Sequence, residues 1–307
     1  GVNSACEKLG VEFVVKEDVA EGTGRCAQAI DELVKEDVGM IILSSYAYPT
    51  EVQDTIQMYP EVAFYGISAE YYAENMTSYF GRMYQARYLA GIVAGMKTQS
   101  NAIGYVAAMP NSEVNRGINA FTLGVKSVNP SAVVNVIWTN EWEAEVQEKK
   151  AVRTLIDEMD ADVITYHQNQ HYVAQEADAA GVFSIGYNAV AEGLSEKYLT
   201  AAVWDWNELY FQIIREYLQG KSNSVNRHWF GIETGVVTLA ECSQAVGEDV
   251  LQQIEKAEKE LSEGSRVFSG VIYDNTGTLR CNEGESISDE ILLKKMNWFV
   301  DGVVIHE

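Results

Sequence analysis

The chain has 307 residues, of which 47% are hydrophobic and 22% charged, and its formal net charge is -23 at pH 7. This length and composition supply a core for one large domain or two ordinary ones. The acidic balance argues against nucleic acid or an anionic lipid surface as a partner, because such a protein surface repels phosphate groups.

In chain order, the first hundred residues alternate between strand and helix patterns. Helices are predicted over 1–10, 24–36 and 49–58, and strands over 11–15, 39–45 and 62–68. The continuous apolar run at 39–45 is typical of a strand buried on both faces of a parallel sheet. This alternation predicts an α/β fold with a doubly wound parallel sheet.

A second series of the same kind follows a long apolar helix predicted at 82–98. Strands are predicted at 102–109, 133–138, 162–167, 182–187 and 199–204, and helices at 114–127, 143–159, 170–180 and 206–219. Two successive series predict two similar lobes with a cleft between them. In open α/β sheets, ligands bind beyond the carboxyl ends of the strands.

The last part of the chain predicts a strand pair within 229–240, a charged helix at 247–263 and a hairpin that turns at 275–277. We expect an N-terminal α/β lobe of residues 1–101 plus 205–228. The C-terminal α/β lobe is expected to contain 102–204 plus 229–240. The pattern leaves the lobe of the C-terminal helix and hairpin, 241–307, unassigned.

Metal and membrane functions find little support in the sequence. The cysteines, Cys6, Cys26, Cys242 and Cys281, are widely spaced and form no CxxC motif, which argues against a zinc site and leaves one disulfide open. The helix at 82–98 is interrupted by Arg82, Arg87 and Lys97, unlike a membrane span of about 18 apolar residues. We therefore expect no metal and no cofactor.

Aromatic and amide side chains gather where the predicted strands end. Aromatic rings stack on flat ligands, and amides read hydrogen-bond donor and acceptor edges. The candidate ligand-binding residues are Ser45, Tyr46, Asn115, Trp138, Trp142, His167, Gln168, Asn169, Tyr187, Asn188, Trp204, Asp205 and Trp206. Packing of the tryptophans and capping of the helix near Asn115 are the competing interpretations.

Catalytic motifs are absent from the sequence. The segment HQNQH at 167–171 lacks the glutamate that a zinc-protease helix requires, and no GxSxG elbow, phosphate loop or dinucleotide fingerprint follows a predicted strand. The pattern favours binding over catalysis, so we expect no enzyme.

Several long segments resemble the basic membrane protein (BMP) family of bacterial ABC-transporter substrate-binding lipoproteins, which includes purine-nucleoside receptors. They are FGRMYQARYLAGIVAG (80–95), EVNRGINAFTLGVKSVNP (113–130), WTNEW (138–142), GVFSIGYN (181–188), LTAAVWDW (199–206), VFSGVIYDNTGTL (267–279) and EGESISDE (283–290). The resemblance implies a type I periplasmic-binding-protein fold, with two doubly wound parallel-sheet lobes joined by a multi-stranded hinge and closing on a ligand.

The resemblance also implies a partner and a location. The partner would be the permease subunits of an ABC importer. The location would be extracytoplasmic, at the bacterial cell surface or in the periplasm, through a lipid anchor that this chain does not contain. Family members begin with a strand and a ligand loop resembling D-x-S-F-N, and this sequence starts after that point, so we expect upstream residues to have been omitted.

Two further differences between this sequence and the family pattern affect which ligand we expect. Nucleoside-binding members hold ribose with an aspartate and a lysine, and these positions resemble Asn188 and Trp204 here, while HQNQ at 167–170 replaces a glycine-rich stretch. We therefore expect a purine nucleobase or close analogue. The alternatives are a purine nucleoside or another flat heterocycle such as a flavin, and, less favoured, a nucleoside-cleaving enzyme or a cytoplasmic sensor.

Overall fold

The computed structural model describes residues 1–221 and 227–306. The helices are α1 (Val2–Leu9), α2 (Arg25–Lys35), α3 (Tyr48–Glu51), α4 (Gln53–Met58), α5 (Met83–Lys97), α6 (Ser112–Val128), α7 (Glu145–Asp157), α8 (Tyr172–Ala180), α9 (Trp206–Leu218), α10 (Glu248–Ser262) and α11 (Asp289–Lys294). The strands are β1 (Met40–Leu43), β2 (Ala63–Ile67), β3 (Met76–Gly81), β4 (Ala102–Ala107), β5 (Val133–Trp138), β6 (Val163–His167), β7 (Phe183–Asn188), β8 (Tyr198–Trp204), β9 (Arg227–Phe230), β10 (Val237–Leu239), β11 (Ile272–Tyr273), β12 (Leu279–Cys281) and β13 (Val303–His306).

The chain divides into two compact units, each with its own sheet. The first unit comprises Gly1–Arg82 and Asp205–Val236, and the second comprises Met83–Trp204 and Val237–Glu307. This division differs from the boundaries expected from sequence, because α5 belongs to the second unit and β9 to the first. The tail that the sequence left unassigned belongs to the second unit.

The first unit is built on a four-stranded parallel sheet in the order β1-β2-β3-β9. Apolar side chains from α2, α4 and the strands form its core. These side chains include Ile30, Ile41, Val52, Ile56, Phe64 and Met76, all at most 4% exposed. The parallel pairing confirms the predicted sheet type, although β3 gave no recognised signal in the sequence.

A cavity of about 780 Å³ lies in the first unit beside β1. It is lined by β1, by residues 11–19 and by side chains of α1, α2 and α9. Among the described residues, β1 has a strand partner on one side, where Ile41 pairs with Phe64 of β2. The backbone on the other side of β1 faces this cavity.

The predicted strand at 11–15 is wrong, since this segment forms no strand in the structure. Its apolar side chains are exposed, with Phe13 at 42%, Val14 at 50% and Val15 at 57%. Alternating valines favour a strand only where a neighbouring strand satisfies the backbone hydrogen bonds. Within the described part of the chain, no strand pairs with this segment.

The second unit is built on a seven-stranded sheet in the order β10-β8-β7-β6-β4-β5-β13. All neighbours are parallel except β10, which runs antiparallel to β8. After β4 the chain adds β5 on one side and then returns to the other side for β6, β7 and β8. The order of addition therefore reverses between β4 and β6.

The C-terminal segment follows the polar face of α6 and ends as the edge strand β13. Arg116 donates to the carbonyl oxygen of Leu292 at 2.6 Å, and Asn119 donates to that of Trp298 at 2.9 Å while accepting from the Val300 amide at 2.9 Å. The predicted hairpin is confirmed as β11 and β12. The predicted strand pair at 229–240 is wrong, because β9 pairs with β3 and β10 pairs with β8.

Helices α5 and α6 approach closely because glycines face each other's backbone. A Cβ atom on Gly124 would lie 2.0 Å from the Tyr88 carbonyl oxygen, and one on Gly91 would lie 2.0 Å from the Phe121 carbonyl oxygen. No side chain fits such spaces. This contact places α5 in the second unit, against the helix that follows β4.

We expect Gly124→Ala to lower the free energy of unfolding by about 1–3 kcal/mol, because the added methyl group forces the two helices apart. Urea unfolding followed by circular dichroism measures this loss. Gly117→Ala on the same helix is the matched control, since its Cβ would meet its nearest neighbour at 3.4 Å, an ordinary contact. Equal stability of the two variants would contradict the proposed role of the close helix approach.

Candidate functional site

The candidate site lies at the carboxyl edge of the second sheet, where the order of strand addition reverses between β4 and β6. In open α/β sheets the connections leave in opposite directions at such a point and open a crevice. His167 is the last residue of β6, and α6 begins shortly after β4 ends. Side chains from these elements therefore converge at one place.

Five side chains form what we call the edge cluster: Arg87, Tyr105, Trp142, His167 and Tyr187. The ring centroids of His167 and Tyr187 are 4.1 Å apart, and those of Trp142 and His167 are 6.1 Å apart. The Arg87 guanidinium carbon lies 4.1 Å from the Tyr187 ring centroid and 5.5 Å from that of Tyr105. Helix α5, strands β4, β6 and β7 and the loop after β5 each contribute one member.

His167 is buried and neutral at physiological pH. Burial lowers the pKa of its imidazole well below the usual value, and the nearby Arg87 and Arg116 guanidinium groups lower that pKa further. Its Nδ1 atom has no hydrogen-bond partner among the described residues, nor has the buried hydroxyl of Tyr105. A Cβ on Gly117 of α6 would lie 3.4 Å from this Nδ1 and 3.6 Å from the Tyr105 hydroxyl, so the two polar atoms border the same bare glycine.

Asn115 and Gln168 are both buried and bonded within the protein. Asn115 donates from Nδ2 to the Met296 carbonyl oxygen at 2.8 Å, whereas its Oδ1 has no partner among the described residues. The side-chain amide oxygen of Gln168 accepts from Thr139 Oγ1 at 2.7 Å. The amide nitrogen of Gln168 donates to the carbonyl oxygens of Glu141 at 2.9 Å and Trp142 at 3.0 Å. Gln168 therefore holds the loop that carries Trp142.

Other predicted residues of the second unit surround the cluster. Trp138 at the end of β5 is half-buried against Phe299 of the tail, with ring centroids 6.2 Å apart. Asn169 is exposed, and its backbone amide donates to the Trp142 carbonyl oxygen at 2.9 Å. Asn188 ends β7 exposed, with a left-handed φ of 71°, which asparagine tolerates better than most residues.

Ser45 and Tyr46 belong to the first unit and follow β1. Tyr46 is 58% exposed, and the Ser45 hydroxyl donates to the Glu21 carboxylate. Both stand at the carboxyl end of a parallel strand, as the sequence predicts.

The segment 204–206 falls on the boundary between the two units. Trp204 ends β8 in the second unit, whereas Asp205 and Trp206 begin α9 in the first. Asp205 caps α9, because its Oδ1 accepts from the Asn207 amide at 2.9 Å and the Glu208 amide at 3.1 Å. Trp206 stacks on Tyr210 one turn later. The Asp205 carboxylate therefore has a structural role whether or not it contacts ligand.

Arg87 and Tyr105 are members of the edge cluster that the sequence did not predict. Arg87 was noticed as an interruption of an apolar helix, and that same feature was the available signal, since an arginine among buried residues requires a partner. Tyr105 lies within the apolar strand β4 and carries no signal of its own. The cap of α6 is Asn111, whose Oδ1 accepts from the Glu113 and Val114 amides, each at 3.0 Å, so Asn115 does not cap this helix.

Metal and membrane sites receive no support from the described residues. Within residues 1–221 and 227–306, no group of three or more histidine, cysteine or acidic side chains is arranged to hold a metal ion. No helix in the same part of the chain has the length and hydrophobicity required to cross a membrane. His171, which shares the HQNQH segment with His167, instead pairs through Nδ1 with the Tyr166 hydroxyl at 2.8 Å.

Comparison with known families assigns the chain. Residues 1–269 match the Bmp family, described as ABC transporter substrate-binding protein, PnrA-like. The chain belongs to this family. The PnrA-like proteins are substrate-binding components of ABC transporters, so this protein is a binding protein and not an enzyme. The resemblance seen in the sequence is thereby confirmed.

Relatives of this PnrA-like protein are named for different ligands. A purine-binding protein of Brucella abortus is 32% identical over 301 residues, which cover 97% of this chain and 85% of the relative. A Haloferax volcanii protein named "Putative ABC transporter glucose-binding protein" is 36% identical over 278 residues, covering 90% of this chain and 68% of the relative.

A solved structure of similar architecture is a transcriptional activator of the comK gene from Bacillus halodurans. It is 25% identical, with a TM-score of 0.78, and the match covers 86% of this chain and 92% of that one. The likeness confirms the type I periplasmic-binding-protein fold with two parallel-sheet lobes. The fold therefore serves both transport and regulatory proteins.

We expect the buried, neutral state of His167 to make stability depend on pH. Above about pH 6.5 the imidazole is neutral in both folded and unfolded chains, whereas below it the unfolded chain takes up a proton that the folded chain does not. The stability advantage of the wild type over His167→Gln should therefore shrink by about 1–2 kcal/mol between pH 8 and pH 5.

Urea unfolding of both proteins at the two pH values measures this change. His171 and His228, whose pKa values are also lowered by burial, are present in both proteins and cancel in the difference. A stability difference that stays constant with pH would show that His167 is protonated equally in the folded and unfolded chains.

Proposed function

We propose that this PnrA-like protein is the receptor of an ABC importer for a purine nucleobase or close analogue. The edge cluster provides the main supporting observation. It presents Trp142, which is 40% exposed, next to the rings of His167 and Tyr187 at the carboxyl edge of a parallel sheet. Contiguous aromatic rings of this kind suit a flat ligand that binds by stacking.

Hydrogen-bonding groups around the cluster support a heterocycle with polar edges. Asn169 and Asn188 are exposed beside it, and the Oδ1 of Asn115 has no partner among the described residues. The remaining predicted residues are proposed either to contact the ligand or to support the loops that contact it. They are Ser45, Tyr46, Trp138, Gln168, Trp204, Asp205 and Trp206. Neutral amides read the donor and acceptor pattern of a purine ring without requiring charge on the ligand.

The name of the Brucella abortus relative, a purine-binding protein, supports this ligand class. A base is favoured over a nucleoside because Asn188 and Trp204 occupy positions that resemble those of the ribose-binding aspartate and lysine of nucleoside receptors. A polar amide and an indole ring lack the charge pair that would hold sugar hydroxyls. A nucleoside remains the nearest alternative.

A monosaccharide is the second candidate, because the Haloferax volcanii relative carries a glucose-binding name. Pyranose rings also pack on aromatic faces, and their hydroxyls pair with amides. The purine is favoured here because the edge cluster joins four aromatic rings and a neutral imidazole is one of them.

The family supplies the partners and location that we propose. The ligand-bound protein would dock on the permease subunits of an ABC importer, outside the cytoplasmic membrane of a prokaryote. A lipid anchor, as in the lipoproteins of the family, would hold it there.

Isothermal titration calorimetry with adenine, guanine, hypoxanthine, their nucleosides and glucose tests the proposal. Binding of free bases in preference to nucleosides and glucose is the expected result. Tight binding of nucleosides with none of the bases would replace the base by a nucleoside, and binding of glucose alone would establish the second candidate. Chromatography after incubation with nucleosides should recover them intact, as expected for a protein that is not an enzyme.

We expect Trp142→Ala to weaken purine binding about three- to tenfold, because the substitution removes a stacking ring. Titration calorimetry with the base that the wild type binds most tightly measures the change. Tyr273→Ala is the matched control, since Tyr273 is an aromatic residue on β11 of the same unit and is 50% exposed. Unchanged affinity in Trp142→Ala would remove Trp142 from the site.

A further inference from the structure

Arg87 is a buried guanidinium group with an unusual set of partners. Its side chain is fully buried on α5, where Nη2 donates to the Tyr166 carbonyl oxygen at 2.6 Å and Nη1 approaches Thr165 Oγ1 at 3.4 Å. Its Nε has no hydrogen-bond partner among the described residues. A buried cation is costly unless its surroundings compensate the charge.

The charge of Arg87 is directed at aromatic rings. Among the described residues it forms no ion pair with a carboxylate. Its guanidinium carbon instead lies 4.1 Å from the Tyr187 ring centroid, well within the range of a cation–π interaction. Desolvated pairs of this kind are the stronger ones, because water does not screen the ring from the cation.

Tyr187 in turn is in contact with His167, the residue at the carboxyl end of β6. Their ring centroids are 4.1 Å apart with an angle of 43° between the planes. Arg87 also bonds the carbonyl of Tyr166, the residue directly before His167 in β6. One side chain from α5 therefore touches both strands that carry these two rings.

We propose that Arg87 is a positioning residue of the binding edge, which fixes the Tyr187 ring against His167 so that the two rings form one stacking surface for ligand. The inference rests on the proposed function, since it assigns the edge cluster to ligand binding. Arg87 is fully buried and acts through Tyr187 and β6, without touching ligand itself.

The electrostatic surroundings are consistent with this role. The titratable or charged groups around His167 and Tyr187 are Arg87 on α5, Arg116 and Glu113 on α6, and Tyr105 on β4. Burial lowers the pKa of His167, and both guanidinium groups lower that pKa further. Arg87 thus also helps to keep the imidazole uncharged, which suits stacking on a neutral base.

A double-mutant cycle on ligand affinity tests whether Arg87 acts through the Tyr187 ring. Adenine and hypoxanthine are the probes, with affinities measured by titration calorimetry for the wild type, Arg87→Met, Tyr187→Leu and the double variant. We expect Arg87→Met to weaken binding by about fivefold, and the same substitution in the Tyr187→Leu background to change it less than about twofold. Equal effects in both backgrounds overturn the proposal.

The Arg87→Lys variant tests whether Arg87 positions the Tyr187 ring or only fills space in the core. Lysine keeps a cation that can face the ring but loses the planar fork of donors, so it should restore part of the affinity that Arg87→Met loses. Arg153→Met is the matched control, because it removes the same charge from α7, where Arg153 is half-exposed and pairs with Glu176. It should leave affinity unchanged, and an effect as large as that of Arg87→Met would overturn the proposal.

The pH titration of His167 provides a readout that requires neither ligand nor the purine proposal. In ¹H–¹⁵N spectra, the titration midpoint of His167 should rise in Arg87→Gln, which retains a hydrogen-bond donor for the Tyr166 carbonyl. An unchanged midpoint in the folded variant shows that Arg87 does not act on His167 and overturns the inference. Circular dichroism and thermal unfolding establish that each variant is folded before it is compared.

The outcomes distinguish the inference from the proposed function. If none of the purines binds the wild type, the purine proposal fails and the positioning role in ligand binding fails with it. If purines bind and Arg87→Met, Arg87→Gln and the wild type bind alike, the purine proposal stands and the positioning role is wrong. If Arg87→Met and Arg87→Gln do not fold, retention of affinity by folded Arg87→Lys supports the role, and loss of affinity in folded Arg87→Lys to the level of Tyr187→Leu overturns it.

Discussion

The close contact between α5 and α6 is the constraint on which the candidate site depends. Glycines at 91 and 124 let each helix backbone reach the carbonyl groups of the other. With the helices at this distance, the Arg87 side chain of α5 reaches strand β6, and Gly117 of α6 lies at the edge of β4. A larger residue at position 91 or 124 would shift Arg87 and Gly117 together, because protein interiors are too tightly packed to accommodate it.

The same contact explains how an acidic protein contains a locally basic site. The formal net charge is -23, yet the groups buried around Tyr187 are two guanidinium groups and the carboxylate of Glu113. Burial raises the pKa of Glu113, whereas the nearby Arg116 guanidinium group lowers that pKa. The Tyr187 and Tyr105 rings face the Arg87 guanidinium group and stabilise its charge.

Much of the fold could be predicted from the sequence because most of the buried strands are largely apolar runs. Strands β4 to β8 were placed to within two residues, and their alternation with helices correctly indicated a parallel sheet. Strand β3 was missed because Thr77, Ser78 and their neighbours lack such a run. The strand predicted at 11–15 does not form, for the opposite reason. Its local pattern favours a strand, but among the described residues no neighbouring strand pairs with it.

The candidate site was only partly predictable, because the strand ends are visible in a sequence but the contacts across the sheet are not. His167, Tyr187 and Trp142 were identified from their positions after apolar runs. Arg87 lies 80 residues earlier in the chain than His167, and no local pattern relates the two. The tail contacts of Asn115 and Arg116 are likewise invisible, since they join α6 to residues more than 170 positions later.

Among the described residues one side of β1 has no strand partner, and this has a consequence for the stability of the first unit. Backbone groups at a sheet edge recruit strands from other molecules, and nearby exposed valines such as Val14 and Val15 add apolar surface to that edge. A further strand paired with this side of β1 would satisfy those backbone groups and so stabilise the first unit.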